Sequence, residues 1–412
     1  MQKKITQFEI PYLQFLDGEG NVNASTASTS TASTAITSIA NVSSTANVNV
    51  SQTELPAFLQ NVEQLIDMYS LMVRTRIFDA KAVALQRTGK IGTYPSTLGQ
   101  EAIGAAIGIA MKPEDVLCPY YRETPAQFYR GVKMSEILLY WGGDERGSCF
   151  TNPKVREDFP ICVPIASQTL HAVGVGLAFK LRHQPRVALT VVGDGGTSRG
   201  DFYEALNLAG VMNLPVVFVI NNNQWAISVP RKQQSAAETL AQKGLAGGVV
   251  SEQVDGNDIF ALRFAVEKAL GNARSGKGPT VIEALTYRMG DHTTADDARR
   301  YRDQAELERH GETDPILRFS KYLVKQNLWN EAKEQALQKA AAAEVVMAVE
   351  EFLNTKPMKP ESMFDHLYET LPHSYFTERE EMLKMLSASA NAKANNASQA
   401  EQNHAKRGEN HG

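Results

Sequence analysis

Cysteine is scarce in this chain: Cys118, Cys149 and Cys162 are the three in 412 residues. The count is odd and no pair has CxxC spacing. That excludes a disulfide framework and fits a reducing cytoplasm, where we expect the protein to reside. Long apolar runs are missing too. The longest, such as LPVVFVI, are far too short to span a bilayer, so no membrane association is expected. A basic excess is also missing: 42 Lys and Arg face 46 Asp and Glu, for a net charge of −4. No basic face or nucleic-acid motif stands out, so nucleic acid is not an expected partner. The opening MQKKITQFEIPYLQFLDGEG has no continuous apolar stretch and no small-residue cleavage pattern, which argues against a signal peptide. No internal repeat is present. A full G-x-G-x-x-G after a strand, with an acid about twenty residues on, is absent as well. GVGLAF (Gly174–Phe179) and GDGG are only fragments of it, and GVGLAF reads better as small residues packing a helix.

What remains is a chain with 43% hydrophobic residues, enough for a large core. Residues 21–53 are nearly all Ser, Thr, Ala, Asn and Val, and cannot bury enough apolar surface to offset their ordering entropy. They read as a disordered insert after an N-terminal arm, residues 1–20. The tail, 386–412, reads the same way. Between them, 54–385 form the body. Residues 57–88 carry helical apolar spacing and end at Gly89. Further helices are expected at 97–110 and Met134–Trp141. Then strands at 187–192, 216–221 and 280–287 alternate with helices at 200–211 and 258–274. Such units imply an α/β fold: a parallel sheet with helices on both faces. The charged helical segment 303–355 is expected to form an outer layer.

Residues 191–201 read VVGDGGTSRGD. A strand feeding a glycine turn and a helix puts the turn at the carboxyl edge of a parallel sheet, where doubly wound folds bind ligands. Gly195 and Gly196 permit close backbone approach, and a helix N-terminus favours an anion. Asp194 beside an anion is repulsive unless a cation intervenes. Asp–Mg²⁺–diphosphate is therefore one reading, and an Asp-Gly turn without a ligand is the other. The next strand ends in VINNNQWAIS. Asn223 lies 29 positions after Asp194, room for one helix and one strand. An acid and an amide oxygen from neighbouring strand ends make a plausible hard-cation site.

GDG followed about thirty residues later by NN resembles the thiamine-diphosphate-binding signature. The longer stretch GDGGTSRGDFYEALNLAGVMNLPVVFVINNNQWAIS resembles the α subunit of the E1 component of 2-oxo acid dehydrogenase complexes, of the pyruvate and branched-chain types. The likeness runs from about Leu55 to Leu371 and takes in STLGQEA, PYYRETPAQFYRG, VDGNDIFA and LTYRMGDHTTADDARRYR in family order. FLDGEG in the arm is similar to bacterial pyruvate-type members. The resemblance implies a thiamine-diphosphate-binding fold with helical N- and C-terminal layers. It implies that Asp194, Asn223 and the Trp225 carbonyl ligate Mg²⁺, and that Gly195 and Gly196 offer N–H groups to the diphosphate. Tyr121 and Arg122 would grip the phosphates, a forked contact suited to arginine. His292 would be the active-site histidine, and Ile165 a backbone contact to the aminopyrimidine. His171 is a second histidine to place; bacterial pyruvate-type members have Gln there, so a helix-face role competes.

The chain departs from the family in places. Asn221 stands where some branched-chain members have a phosphate-binding Arg. Thr293 stands where animal members have a phosphorylated Ser, and no kinase control follows from a hydroxyl alone. No region resembles the pyrimidine-binding half that supplies the catalytic Glu. The resemblance places that half on a separate β subunit, in an α₂β₂ heterotetramer. It implies oxidative decarboxylation of a 2-oxo acid and reductive acylation of a lipoyl group on the E2 acyltransferase. Pyruvate is favoured, with branched-chain 2-oxo acids or acetoin as alternatives. The rivals are a nicotinamide enzyme on a Rossmann fold and a noncatalytic scaffold subunit. A scaffold would be expected to have lost Asp194, Asn223 or His292, and all three are present.

Overall fold

The computed structural model describes residues 8–22, 55–365 and 367–389. The expected 21–53 insert therefore lies outside the described residues except for its first two. Most of the expected tail does too, although 386–389 close a helix that begins at 374. The chain divides into two compact units, Met1–Asn354 and Thr355–Gly412. Sheet and cleft belong to the first.

Eight strands are assigned among the described residues: β1 (Tyr12–Leu13), β2 (Val116–Cys118), β3 (Ala188–Gly193), β4 (Val216–Asn222), β5 (Trp225–Ala226), β6 (Val229–Pro230), β7 (Val250–Asp255) and β8 (Thr280–Leu285). Six form one sheet in the order β1-β7-β8-β4-β3-β2, with every pairing parallel. β5 and β6 form a separate antiparallel hairpin. The central strands are mostly apolar because both faces are covered, with Thr190, Asn221, Asn222 and Glu283 as buried exceptions. Side chains alternate between two cores. Val191, Val217, Val219 and Ile282 enter one. Val192, Val216, Phe218 and Val281 enter the other.

The helices divide accordingly. α1 (Val62–Arg87), α2 (Glu101–Ala110), α3 (Thr124–Arg130) and α4 (Met134–Trp141) supply the first core, together with Ile259–Arg274. α5 (Ser167–Leu181) and α6 (Gly200–Val211) supply the second. The GVGLAF segment lies inside α5. A Cβ on Gly176 would come within 2.5 Å of Val216 Cγ2, so this glycine lets α5 sit close on the sheet. α1 starts where the Asn61 side chain accepts from Gln64 N at 3.1 Å, and the chain turns out of it at Gly89, φ 69°.

The N-terminal arm is built into the fold. β1 adds to the sheet edge beside β7, and Phe15 and Leu16 are buried in the first core. Asp258 clamps it. One carboxylate oxygen accepts from Phe15 N and Leu16 N, both at 2.6 Å. The other caps the helix Ile259–Arg274 through Phe260 N and Ala261 N.

Candidate active site

The site is assembled at the carboxyl edge of β3 and β4. Gly193 pairs in register with Asn221, and Asp194 N donates to Asn221 O at 3.2 Å. Asp194 and Asn223 thus leave the sheet at the same edge from neighbouring strands. After Asp194 the chain makes a single 3₁₀ turn, Gly195–Ser198, before α6. The Thr197 hydroxyl donates to Asp194 O at 2.7 Å, and Lys243 Nζ holds Thr197 O and Oγ1 from behind at 2.9 Å each. The two glycines have a packing reason as well as a ligand reason. A Cβ on Gly195 would stand 2.6 Å from Ala226 Cβ, and one on Gly196 2.5 Å from Val192 Cγ2.

A cleft of about 210 Å³ opens over this turn. Tyr121, Arg122, Ile165, Asp194, Gly195, Gly196, Asn223, Trp225 and His292 all line it. Residues distant in sequence, from the strand exits, the start of α5, the segment before α3 and the 292 loop, thus meet in one place. His171 does not join them. It is exposed on α5 and stacks on Phe159, ring centroids 5.4 Å apart. Asn221 is buried under the site, where its amide donates to Tyr120 Oη at 2.8 Å.

Asp194 is 2% exposed and its Oδ2 has no hydrogen-bond partner. Burial pushes its carboxyl up to about 6, against which a hydrogen bond from Gly195 N is a smaller, opposing effect. A buried, half-satisfied carboxylate is the donor a bound cation would complete. Asn223 Oδ1 accepts from Trp225 N at 3.2 Å, and Trp225 O accepts from Arg288 Nη1 at 3.2 Å. Each of these oxygens keeps a second lone pair. Among the described residues no three His, Cys, Asp or Glu gather as a metal site, so a cation here needs this mixed oxygen set.

The opposite wall is cationic. Arg122 Nη1 donates to Ser96 O at 2.6 Å, and Nη2 lies 3.2 Å from His292 Nδ1. Its guanidinium sits 5.2 Å from the centre of the Tyr121 ring. Burial, then the charges of Arg122 and Arg288, push the His292 imidazole down to about 4. At neutral pH it is an uncharged ring flanked by two guanidinium groups. The loop carrying it is held by hydrogen bonds. His292 N donates to Asp296 Oδ2 at 2.8 Å, and Tyr301 Oη donates to the same oxygen at 2.5 Å. Arg288 Nη2 donates to Tyr301 Oη at 2.7 Å, and the Thr294 hydroxyl accepts from Tyr94 N at 2.9 Å. Thr293 lies within this ordered turn, its hydroxyl accepting from Ala295 N.

Sequence reading missed Arg288, Gln100, Gln168, Asp296 and Tyr301. Arg288 is 1% exposed and links hairpin to loop through Trp225 O, Ile227 O and Tyr301. An arginine directly after the strand-like stretch TVIEALTY was the available signal.

A parallel α/β sheet with an acid, amides, a glycine turn and arginines converging at its strand ends is an arrangement suited to a phosphorylated ligand. The chain belongs to the family described as Dehydrogenase E1 component, which matches residues 69–361. This family is thiamine-diphosphate dependent. Pyruvate dehydrogenase E1 component subunit alpha of Staphylococcus aureus (strain Mu50) is 41% identical over 329 residues, covering 80% of this chain and 88% of the relative. The protein of that name from Staphylococcus epidermidis (strain ATCC 12228) is 41% identical over 313 residues, covering 76% and 84%. Among the described residues no helix is long and apolar enough to cross a membrane.

Proposed function

We propose that this chain is the α subunit of a pyruvate dehydrogenase E1, and that it holds the diphosphate half of thiamine diphosphate together with Mg²⁺. The observation that carries the reading is the cleft: nine residues singled out by motif line it, around a buried carboxylate oxygen that lacks a partner. The chemistry supplied by thiamine diphosphate when bound is nucleophilic addition to a 2-oxo carbon and acceptance of the electron pair left by departing CO₂. The chain's own residues do the rest. Asp194, Asn223 Oδ1 and the Trp225 carbonyl are the oxygens for Mg²⁺, with one formal negative charge among them. Gly195 and Gly196 lie where their backbone meets the cleft, and Arg122 brings a guanidinium fork to the opposite wall. Burial, reinforced by Arg122 and Arg288, keeps His292 neutral, so its ring can accept a proton as negative charge enters the cleft. Such a residue suits proton movement during acyl transfer.

Pyruvate is favoured as substrate because both relatives are pyruvate dehydrogenase subunits. A β subunit completes the site with the pyrimidine half, and the acyl group passes to lipoyl on an E2 acyltransferase. The test is to co-express the chain with an E1 β subunit from the same organism. Decarboxylation of pyruvate and of 3-methyl-2-oxobutanoate is then followed with thiamine diphosphate and Mg²⁺. Preferential turnover of pyruvate is expected. Preference for the branched acid overturns the substrate, and no turnover of any 2-oxo acid overturns the function.

A further inference from the structure

We propose that Gln100 is a positioning residue that sets the carboxamide of Asn223 with its oxygen toward the cation. The inference rests on the reading of Asn223 as a metal ligand. A side-chain amide has one accepting and one donating end, and buried amides take the orientation their partners impose. Only one partner here has a fixed role. The Trp225 backbone N–H can only donate, and it donates to Asn223 Oδ1 at 3.2 Å. That turns Asn223 Nδ2 the other way, where it donates to Gln100 Oε1 at 2.9 Å. Gln100 must therefore accept through its oxygen, and its Nε2 is left buried without a partner. This arrangement satisfies Asn223 at the expense of Gln100. Both side chains are buried, at 3% and 4% exposure.

Gln100 is mounted to hold that position. Its N–H donates to Thr97 O at 2.7 Å, just ahead of α2. Thr97 is in turn fixed through its N–H and hydroxyl, each donating to Asp79 Oδ2 at 2.6 Å. The next residue, Glu101, is buried and paired with Arg76 at 2.7 Å. The amide acceptor thus stands on a turn tied down on both sides. Remove it, and the Asn223 NH₂ becomes a buried donor without a partner, free to turn toward the cation in place of the oxygen.

The test uses Gln100→Met and Gln100→Glu in the full-length chain with its β subunit. Methionine matches the length and has no comparable acceptor; glutamate accepts through either oxygen. Quenching of tryptophan fluorescence by thiamine diphosphate is titrated against Mg²⁺, and urea midpoints are measured without metal. Gln100→Met is expected to need roughly 10–100-fold more Mg²⁺, the usual loss for an outer-shell partner of a ligand. Gln100→Glu should stay near wild type. If Gln100 served packing alone, the order would reverse, because methionine would be tolerated and a buried carboxylate would not. That reversed order, or two unresponsive variants, overturns the proposal. Asn223→Asp supplies a second check, because a carboxylate has no nitrogen to misplace. In that background Gln100→Met should have no further effect on Mg²⁺ demand, and a persisting effect overturns the proposal. A wild type whose cofactor binding ignores Mg²⁺ sinks the cation site itself, and this inference with it. A Mg²⁺-dependent wild type with unresponsive variants sinks this inference alone.

Discussion

Replacing Asp194 by Asn should change how stability depends on pH. The Asp194 carboxyl ordinarily ionises at 3.8, and burial lifts it to about 6 in the cation-free fold. The folded chain therefore holds this proton more tightly than the unfolded chain. Stability from this group is full below about pH 4 and is lost as pH rises toward and past 6. At about 1.4 kcal/mol per tenfold change in proton affinity, the ionised form costs about 3 kcal/mol by neutral pH. About 1.4 kcal/mol of that falls between pH 5 and pH 7.5. Asparagine keeps an acceptor for Gly195 N–H and has no charge to bury. Its exposed-to-buried offset is constant with pH, so the difference between the two proteins isolates the titration. Urea unfolding in EDTA across that range, followed by tryptophan fluorescence, should show the variant gaining on wild type by about 1.4 kcal/mol. Mg²⁺ with thiamine diphosphate at pH 7.5 should stabilise wild type, by about 2.7 kcal/mol at a hundredfold excess over Kd, and leave the variant unmoved. Parallel pH curves, or an undiminished Mg²⁺ response in Asp194→Asn, would refute the argument.

His292 should stay neutral down to about pH 4 in the cofactor-free chain, and NMR of its ring protons should show no titration between pH 5.5 and 8. Inorganic diphosphate, by neutralising Arg122 and Arg288, should raise that value. His292→Ala should spare cofactor binding far more than acyl transfer to lipoyl, and unchanged overall turnover would remove it from the mechanism. Gly196→Ala should cost about 1–3 kcal/mol in a denaturation titration, because the new methyl meets Val192 Cγ2 at 2.5 Å. Asp258→Asn sets an NH₂ against donors it cannot satisfy, and should weaken arm docking by about 1–3 kcal/mol. Limited proteolysis would then cut the arm faster while the body stays resistant.

The centre of the fold was legible in the chain because β3 and β4 carry long, mostly apolar runs, ALTVV and VVFVI, and α6 fills the gap between them. The sheet edges were not. β1 and β2 have two and three residues, too few for any period. β7 reads VSEQVD, as polar as a loop, yet Ser251 and Glu252 are buried between covered faces and Lys268 pairs with Glu252 at 3.3 Å. The same division holds in the site. Asp194 and Asn223 are marked by a spacing that carries meaning by itself, whereas Arg122 and His292 are marked by the family resemblance of the motifs around them. Gln100, Arg288 and Tyr301 matter through contacts across 123, 63 and 13 residues, and no local pattern marks them. Sequence reading assigned Gly195 and Gly196 to phosphate approach. It had no way to see that Ala226 and Val192 crowd them.

Val191 and Val192 are covalent neighbours, yet one enters the core of the arm and α1, and the other the core of α5 and α6. Only Val192 reaches the cleft wall. The sheet is thus a partition between two mechanical compartments. A change of volume on the Val191, Val219 and Ile282 side is absorbed among the helices that hold the arm, and is felt as stability. On the other side Val192 packs directly under the turn at Gly196, so a change of volume there bears on the cleft wall itself. The first face reaches the cleft as well, but only at its rim, through Tyr120, Tyr121 and the turn that carries Gln100, so a substitution there matters in proportion to its nearness to the strand ends.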